Sequence, residues 1–497
     1  MSTALTDQVW DVLIIGAGLS GIGAARELKK QLPELKWCIV EARERMGGTW
    51  DLFRYPGVRS DSDKYTFGYG SRPWLGSNTL ASGDEILRYI QASAQEAGVD
   101  QHIHYGMRLQ NAQWCSREAC WTLTLQATAS TTVQVRTRYL HLCSGYYDYA
   151  QGHTPDFVGQ ADFKGTWVHP QFWPDQLDTQ GKRLLIIGSG ATAVTLLPHL
   201  AQNAQQVTLL QRTPTYMISL PYRDALAAVL QVCLPQNMAY HLTRWKNLVL
   251  SSSFYRLCRW LPNVTRRLLI AGVVRGMRAN ASDTAQHLTP PYRPWDQRLC
   301  VVPSGDFFDA VRQRRARLCT GHIARVTAKG VTLQNGEHLE ADIIVCATGL
   351  RLQLLGGAAL QVDGQTVDLN QHLIYKGMML SDIPNMSMTF GYTNASWTLK
   401  ADLTAHALCR VLRHMQRHKF DVVRVPKPAH IQVRPMLDLS SGYVQRAQGL
   451  LPQQGDRFPW RVKQSYWSDW LAMRGSPLHD GHIRFERLAS ASQETPP

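Results

Sequence analysis

Two glycine-rich turns constrain the fold of this chain more than any other feature of its sequence. The first reads Gly16-Ala-Gly-Leu-Ser-Gly21 and the second reads Gly188-Ser-Gly-Ala-Thr-Ala193. Each follows a short apolar run and precedes a segment with helical periodicity, which gives the order strand, tight turn, helix. Glycines at these spacings allow the turn, a close approach to a pyrophosphate and close packing of helix on strand. The sequence therefore predicts an α/β, three-layer fold with two Rossmann-like, doubly wound dinucleotide-binding domains.

The first unit carries an acidic residue where a ribose would lie. Val9–Ile15 is predicted to be a buried strand, Ser20–Lys30 a helix and Trp37–Val40 a second strand. Glu41 follows 20 residues after Gly21, where a carboxylate accepts hydrogen bonds from ribose hydroxyls. The helix N-terminus would direct free N–H groups at a phosphate.

The second unit ends in a basic residue instead. Arg212 and Thr213 follow the predicted strand at 207–210. A carboxylate here would repel a 2′-phosphate, whereas arginine can hold one with two hydrogen bonds. The alternative is an exposed charge at a strand end. We therefore predict FAD in the first domain and NADPH in the second.

Composition excludes several other classes. The 497 residues allow two or three domains, and 44% hydrophobic with 18% charged residues is typical of a globular protein. The net charge of +15 favours anionic ligands, but no nucleic-acid motif accompanies it. The ten cysteines form no C-x-x-C pair and the N-terminus does not resemble a signal peptide, so we expect reduced thiols in the cytoplasm. His414 and His418 lack a third ligand nearby, so no metal site is predicted.

A loop between the two turns has a more specific pattern. It reads FKGTWVHPQFWP and has the form F-x-G-x-x-x-H-x-x-x-W-P, with the fixed positions Phe163, Gly165, His169, Trp173 and Pro174. This segment resembles the linker signature of flavin-containing monooxygenases, in the W-P form of type I Baeyer–Villiger monooxygenases. We interpret His169 as a hinge residue that couples nicotinamide binding to domain rotation. The alternative is a loop whose aromatic rings fill a domain seam.

A second block resembles the same family. Residues 47–61 fit G-G-x-W-x-x-x-x-Y-P-G-x-x-x-D, which ends at Asp61. Ala347-Thr-Gly349 is similar to the family motif that joins the two nucleotide domains. The stretch 391–400 is similar to the ethionamide-activating subfamily. The alternative reading of Trp50 and Tyr55 as packing residues does not account for Asp61 at a fixed distance.

The resemblance implies a mechanism and its residues. NADPH would reduce FAD, a C4a-peroxyflavin would form with O₂, and a ketone would become an ester or lactone. Arg298 is implied as the fixed cation that stabilises the developing negative charge, and Asp61 as the carboxylate that orients it. The alternative for Arg298 is a structural contact with Asp296 or with backbone.

The fingerprints and the resemblance together assign the cofactor residues. Those assigned to FAD are Gly16, Gly18, Ser20, Gly21, Glu41, Thr49, Trp50, Asp51 and Asp61. Those assigned to NADPH are Arg59, Ser60, Gly188, Ser189, Gly190, Ala191, Thr192, Ala193, Arg212 and Thr213.

The domain organisation follows from where the pattern breaks. We predict an FAD-binding domain at 1–149, an NADPH-binding domain at 150–216, an all-helical insertion at 217–290, the rest of the NADPH-binding domain at 291–346, and the rest of the FAD-binding domain with a closing segment at 347–497. Within the insertion, Arg244–Arg278 holds eight basic residues and no acid, interleaved with apolar residues. That pattern favours either peripheral membrane association or a solvated face over a core face.

Three functions stay open at this stage. The first is a Baeyer–Villiger monooxygenase that also oxygenates sulfur, with a small ketone or sulfide and O₂ as substrates. The second is a flavin monooxygenase restricted to nitrogen and sulfur, and the third is a non-catalytic redox sensor. For substrate binding, we interpret Met378, Met379, Met386 and Met388 as an adaptable lining with Tyr392 and Trp397 as aromatic walls, the alternative being core packing.

Overall fold

Two large β-sheets organise the chain in a computed structural model, which describes residues 5–76, 78–278 and 286–488. The first sheet has nine strands. From edge to edge, eight of them are Gln365–Thr366, Ala359–Val362, Arg108–Cys115, Cys120–Gln126, Thr132–Leu142, Val9–Ile15, Trp37–Val40 and Ile103–His104, and the ninth, Met386–Met388, pairs with Thr132–Leu142.

The apolar run Val9–Ile15 lies at the parallel centre of this sheet. Ile15 is opposite Val40 on one side and Leu142 on the other, so three strands end together where the first glycine turn begins. Hydrophobic cores cover both faces of the sheet, so the strand ends at Val12–Ile15 and Trp37–Val40 are buried throughout, whereas Thr132–Leu142 alternates between exposed and buried residues over its first half. The carboxyl ends of such strands form the edge where ligands bind in open α/β sheets.

The second sheet is parallel throughout. Its five strands, in order, are Ala316–Thr320, Gln206–Gln211, Arg183–Ile187, Ile343–Cys346 and Thr166–Val168. The last of these comes from the predicted linker signature, so that segment is an edge strand of the second sheet. With both Rossmann-like sheets present, the predicted α/β fold class is confirmed.

Helices cover both sheets. The α-helices are Leu19–Gln31, Thr49–Leu52, Lys64–Phe67, Gly83–Glu96, Ala191–Leu200, Ala225–Cys233, Gln236–Trp260, Pro262–Met277, Asp306–Arg312, Trp397–His418, Gly442–Arg446 and Tyr466–Trp470, with a π-helix at Leu471–Gly475. Short 3₁₀ helices are Asp100–His102, Gln160–Asp162, Pro170–Phe172, Leu354–Gly357, Leu369–Gln371 and Gln448–Leu450.

Smaller strand groups complete the fold. They are Met217–Leu220 with Cys300–Pro303, Ile323–Thr327 with Gly330–Leu333 and His338–Glu340, Tyr147–Gly152 with Leu350–Leu352, Ile374–Tyr375 with Met379–Leu380, Val422–Arg424 with Arg484–Glu486, and Val433–Pro435 with Gln453–Gly455.

The predicted insertion at 217–290 is not entirely helical. It begins with the strand Met217–Leu220, which pairs in parallel with Cys300–Pro303. The prediction of an all-helical segment was wrong here because the partner strand lies about 80 residues further along and leaves no local signal. Within residues 221–278 three helices follow, and prolines stand at two of their beginnings: Pro235 precedes the second and Pro262 opens the third.

Two antiparallel strands connect the sheets. Tyr147–Gly152 leads from the first sheet to the second and Leu350–Leu352 leads back, and the two pair side by side. The Thr348 hydroxyl donates to the His153 carbonyl at 2.7 Å, which fastens the returning chain to the outgoing one. The two crossings therefore form one double-stranded neck.

Candidate active site

A cavity of about 600 Å³ lies at the carboxyl ends of the central strands of the first sheet. Its wall collects predicted residues that are far apart in the sequence. They include Gly16, Gly18, Ser20, Glu41, Thr49, Trp50, Arg59, Ser60, Asp61 and Arg298. The cavity therefore brings the first dinucleotide turn and the predicted catalytic pair to one place.

The first glycine turn has the geometry that its sequence predicts. Gly16 has φ +104°, and a Cβ there would lie 2.5 Å from the Cys143 carbonyl oxygen. A Cβ on Gly21 would overlap the carbonyl oxygen of Gly16. The helix Leu19–Gln31 begins after Gly18 without a side-chain cap, so its first N–H groups stay available to an anion. Gly18 also faces Gly48 of the second block at backbone contact distance.

Glu41 is buried beside this turn. Its carboxylate accepts hydrogen bonds from the backbone N–H groups of Ala17 at 2.7 Å and Arg43 at 2.9 Å. Burial raises the pKa of Glu41, and these two N–H groups act in the opposite direction. The carboxylate is thus held in place at the cavity wall.

Asp51 lies behind the wall. It is buried and pairs with Arg43 at 2.8 Å, Arg45 at 3.3 Å and Arg54 at 3.0 Å. The Arg43 guanidinium lines the cavity next to Glu41, so Asp51 positions a cation that sequence reasoning had not selected. Trp50 packs edge-to-face on Phe67, with ring centroids 5.5 Å apart.

The block that ends at Asp61 runs from the first domain to the second. Tyr55 is buried in the core of the second sheet, and Gly57 lies so close to His199 of helix Ala191–Leu200 that a Cβ would overlap the imidazole ring. The Arg59 guanidinium then pairs with Asp306 at 3.2 Å. These contacts account for the distance in sequence between Gly47 and Asp61, because the loop crosses from the first domain to the second before Asp61 reaches the cavity.

Asp61 lies deep in the molecule but faces the cavity. Burial raises its pKa to about 6, while the positive charges of Arg59 and Arg298 act to lower it. Next to it, Ser60 is buried, and its hydroxyl accepts from the Ser62 N–H at 3.0 Å. Asp61 therefore changes protonation state close to neutral pH.

Arg298 extends into the same cavity and exposes much of its side chain there. Its Nη2 donates to the Tyr392 carbonyl oxygen at 3.3 Å. Burial acts to lower the pKa of Arg298, but the nearby groups Tyr146, Tyr443, Tyr147 and Asp61 together raise it above its ordinary value. Of the two alternative partners weighed from the sequence, Asp296 pairs with Arg259 at 3.0 Å instead, whereas a backbone contact is present at the Tyr392 carbonyl.

Two tyrosines that sequence reasoning had not selected extend the predicted aromatic wall near Arg298. Tyr146 and Tyr147 line the cavity, their hydroxyls are 2.7 Å apart, and Tyr146 stacks on Trp397 at 5.1 Å. The Trp397 indole N–H donates to the Ser20 hydroxyl at 2.9 Å, which links this wall to the first turn. A signal was present, because Gly145-Tyr-Tyr lies within a few residues of Leu142, the carboxyl end of a central strand.

A buried ion pair supports Tyr392 from behind. The Tyr392 hydroxyl donates to Asp469 at 2.8 Å, and the Lys400 ammonium pairs with the same carboxylate oxygen at 2.8 Å. Lys400 also donates to the Lys376 carbonyl at 3.3 Å. Since the Tyr392 carbonyl accepts from Arg298, the network continues from Lys400 to the cavity cation.

The second glycine turn lies outside the cavity wall. Gly188 has φ +137°, and helix Ala191–Leu200 begins after Gly190 without a side-chain cap. Ala193 is buried in the second core, and the Ser189 hydroxyl donates to the Thr213 carbonyl at 2.7 Å. This turn therefore also has a free helix N-terminus.

Arg212 is exposed next to this turn. Burial and the nearby positive charge of Arg212 both lower the pKa of Arg446. Neither arginine pairs with a carboxylate among the described residues. Two neighbouring cations without a carboxylate partner can bind an anionic group of a ligand. Sequence reasoning had selected Arg212 but not Arg446.

His169 lies against the double-stranded neck. A Cβ on Gly152 would overlap its ring, and its Nδ1 accepts from the Gln171 N–H at 3.2 Å. Gln171 in turn donates through its side chain to the Asp148 carbonyl at 2.8 Å. Burial lowers the pKa of His169, and the nearby backbone of Gly349 and His153 acts in the opposite direction. The linker signature is thus in contact with the segment that connects the sheets.

The other signature positions build the surroundings of this contact. Two hydrophobic cores contain residues of the second sheet. Phe163 packs on one of them and Trp173 on the other. A Cβ on Gly165 would overlap the Asp342 carbonyl oxygen, so the edge strand requires glycine there. Pro174 follows Trp173.

The four methionines do not line the cavity. Met378 and Met379 lie in one core of the first sheet and Met386 and Met388 in the other, all of them buried. The interpretation of these residues as a substrate lining was wrong, and core packing accounts for them. Tyr392 and Trp397, in contrast, are on the cavity wall.

Comparisons with known proteins agree with this geometry. The family model "Flavin-binding monooxygenase-like" matches residues 10–265. The chain is 46% identical over 479 residues to the protein named FAD-containing monooxygenase EthA of Mycobacterium tuberculosis. The matched region covers 96% of this chain and 98% of that protein.

Solved structures share the fold at low sequence identity. The open crystal structure of cyclohexanone monooxygenase superposes with a TM-score of 0.77 at 18% identity, over 96% of this chain and 100% of that one. A structure described as OTEMO in complex with FAD and NADP gives a TM-score of 0.71 at 21% identity, over 84% of this chain and 86% of that one. The family that the sequence motifs suggest is therefore confirmed: this chain belongs to the flavin-binding monooxygenase-like family.

Proposed function

We propose that this protein is an FAD- and NADPH-dependent Baeyer–Villiger monooxygenase that converts small ketones to esters or lactones and also oxygenates sulfides. One observation carries the proposal: Arg298 and Asp61 meet in the cavity that holds the first dinucleotide turn and Glu41. A fixed cation beside a dinucleotide site suits a reaction in which negative charge develops on a carbonyl oxygen.

The residues present fit FAD in the cavity. The uncapped helix after Gly18 would hold the pyrophosphate, and Glu41, fixed by two backbone N–H groups, would accept from the ribose. Tyr146 and Trp397 give a flat aromatic wall for a ring system. When bound and reduced by NADPH, FAD would activate O₂, one oxygen atom of which enters the substrate.

The residues of this chain then have separate tasks. Arg298 donates to the substrate carbonyl oxygen as charge builds there, and its raised pKa keeps it protonated. Asp61 orients Arg298 by charge without neutralising it in a close ion pair. Tyr392, through its carbonyl, sets the direction of the guanidinium.

NADPH fits the second turn by the same reasoning. The helix after Gly190 would hold its pyrophosphate, and the cations Arg212 and Arg446 would meet its 2′-phosphate. The relative named EthA is an FAD-containing monooxygenase, and the structure described as OTEMO contains both FAD and NADP, which supports this pair of cofactors.

The runner-up is an enzyme restricted to nitrogen and sulfur. Product analysis separates the two: FAD-loaded protein is incubated with NADPH, O₂, a series of 2-alkanones and aryl ketones, an aryl methyl sulfide and a tertiary amine. We expect esters from several ketones and sulfoxide from the sulfide. Amine or sulfide products alone, with full FAD loading, would favour the runner-up, and absence of NADPH consumption would favour a redox sensor.

We also propose that the enzyme works at a membrane surface. Among the described residues, no helix is long and apolar enough to cross a membrane. What supports peripheral association is the insertion, whose helices expose large apolar side chains next to arginines, with Trp260 84% exposed and Val232 87% exposed.

A further inference from the structure

Each of the three insertion helices exposes an apolar stripe. Most of the exposed apolar residues recur at intervals that bring them to one face of each helix, although Leu250 and Leu257 are exposed on another side of theirs. They are Leu226, Val229 and Val232 on Ala225–Cys233, Met238, Leu242, Trp245, Val249 and Trp260 on Gln236–Trp260, and Val264, Leu268 and Ala271 on Pro262–Met277. Consecutive helices contact each other, so the three stripes belong to one region. Exposed apolar surface of this extent marks an interaction site.

The eight basic residues of the segment Arg244–Arg278 fall into two groups. Four of the eight are engaged inside the protein: Arg244 with Asp402, Lys246 with Asp224, Arg259 with Asp296, and Arg266 with the Pro290 carbonyl. The other four, Arg256, Arg267, Arg275 and Arg278, are exposed and have no side-chain partner among residues 5–76, 78–278 and 286–488.

Three of these free arginines share the faces of the apolar stripes. Arg256 lies seven residues after Val249 and four before Trp260, which is one face of a helix. Arg267 lies three residues after Val264, and Arg275 lies four after Ala271. We name the exposed apolar residues together with these four arginines the insertion face.

We propose that the insertion face docks on a lipid bilayer rich in anionic headgroups. Apolar side chains would enter the boundary between headgroups and acyl chains while arginines bind the phosphates around them. Such a face needs cations without internal partners, and the four free arginines provide them.

Charge argues against a second copy of the chain as the occupant. Residues 225–278 contain no Asp or Glu. A two-fold contact between insertion faces would place the same arginines opposite each other with no acid to pair them, and like charges in contact oppose association. An anionic bilayer has the opposite charge.

The inner side of the same helices reaches the active site. Leu248 is buried against Tyr392 and Leu399, and Arg244 donates to the carbonyls of Tyr65 and Gly68 at 2.6 and 2.7 Å. A single helix, about 10–12 Å in diameter, would separate lipid from the cavity wall. This step rests on the proposed ketone and sulfide chemistry: an enzyme placed in this way would take apolar substrates that are dissolved in the bilayer.

The test is sedimentation of the FAD-loaded full chain with vesicles. Phosphatidylcholine vesicles are compared with vesicles containing 30% phosphatidylglycerol, at low and at high salt. The test variant carries Arg256→Gln, Arg267→Gln, Arg275→Gln and Arg278→Gln. The matched control carries Arg88→Gln, Arg117→Gln, Arg434→Gln and Arg461→Gln, which are exposed arginines on other elements and remove the same charge.

We expect the unmodified chain to bind anionic vesicles at low salt and to bind phosphatidylcholine much more weakly. The test variant should lose roughly 100-fold or more in affinity, at about fivefold for each arginine near the surface, while the control keeps most of it. A variant with Trp260→Ser and Leu268→Ser should also bind weakly.

Three results would overturn the proposal. One is no binding to anionic vesicles at low salt, and another is equal loss in the test and control variants. The third is a lipid-independent dimer, measured by light scattering, that the insertion-face substitutions dissociate. NADPH oxidation with a water-soluble ketone is measured for every variant, so that loss of docking is distinguished from failure of the proposed reaction.

Discussion

At the residue scale, the cavity depends on side chains that hold Arg298 and Asp61 in place more than on these two alone. The backbone carbonyl of Tyr392 contacts Arg298 in the cavity. The hydroxyl of the same residue contacts the Asp469–Lys400 pair. Buried polar networks of this kind specify one geometry when every member is satisfied.

Tyr392→Phe should loosen Arg298 without removing it. The lost hydrogen bond to Asp469 should cost about 1 kcal/mol of stability, and ester formed per NADPH should fall severalfold while NADPH oxidation continues as hydrogen peroxide release. A matched control exists, because Tyr375 donates to Asp480 at 2.5 Å and Lys376 pairs with that carboxylate at 2.8 Å, outside the cavity wall. Tyr375→Phe should lose similar stability but keep the ester yield. An equal loss of yield in both variants would contradict this role.

Asp61 should make the reaction sensitive to pH near neutrality. Burial raises its pKa to about 6, so the carboxylate that orients Arg298 is ionised above that pH and protonated below it. Ester formed per NADPH should therefore fall as the pH is lowered through about 6. Asp61→Asn should give a low yield at every pH, and a normal yield from that variant would exclude the role.

The same pKa shift has an opposite effect on stability. A carboxyl group whose pKa is raised by folding binds its proton more tightly in the native state, so its contribution to stability declines as pH rises from about 4 to about 6. Above that pH, Asp61→Asn should stabilise the protein without cofactors by on the order of 1–3 kcal/mol, measured by denaturant unfolding. A destabilised variant at pH 8 would show that Asp61 is held by favourable contacts instead.

Arg212 should determine the choice of coenzyme. Because its guanidinium lies near Arg446 without an acid between them, Arg212→Ala should raise the KM for NADPH by roughly 10- to 100-fold and leave NADH almost unchanged. Arg446→Ala should shift KM in the same direction by a smaller factor. Equal use of the two coenzymes by the unmodified protein would contradict the assignment.

At the element scale, the linker signature packs on the double-stranded neck. Tyr147–Gly152 and Leu350–Leu352 pair there, and the imidazole of His169 lies where Gly152 leaves room for it. The absence of a side chain at position 152 therefore allows the linker to pack on the neck.

Gly152→Ala should disturb transfer of reducing equivalents between the domains. A methyl group there would displace the His169 ring, and kcat/KM for NADPH should fall on the order of 10-fold or more while FAD content stays normal. Gly449→Ala is the control, since no atom lies within 4 Å of a Cβ at that position. Unchanged kinetics in Gly152→Ala would argue that His169 has only a packing role.

Local sequence predicted the elements whose signals are local. The strands Val9–Ile15 and Trp37–Val40 occupy the predicted residues because an apolar run between a turn and a helix has one way to be buried. The strand Met217–Leu220 and the core position of the methionines escaped prediction, since both depend on partners distant in the chain. The cofactor and catalytic assignments of single residues remain predictions.

At the scale of the whole molecule, the net charge of +15 does not show how many basic side chains are free to bind a partner. Four of the eight basic residues in Arg244–Arg278 pair with carboxylates or carbonyls of this chain, and only the other four are free for a partner. Composition cannot separate the two groups, because pairing depends on tertiary contacts such as Arg244 with Asp402. The candidate site was easier to predict, since its motifs are short local residue patterns that can be read without knowledge of tertiary contacts.

The central claim is that Arg298, held in this cavity, directs oxygen from O₂ into a ketone. The measurement is ¹⁸O incorporation: FAD-loaded protein is given NADPH, ¹⁸O₂ and a reactive 2-alkanone, in parallel with Arg298→Ala, and the products are analysed by mass spectrometry. The account predicts an ester with one ¹⁸O atom from the unmodified protein, and from the variant NADPH oxidation with hydrogen peroxide and no ester. Unlabelled ester, or labelled ester in near-normal yield from Arg298→Ala, would contradict it.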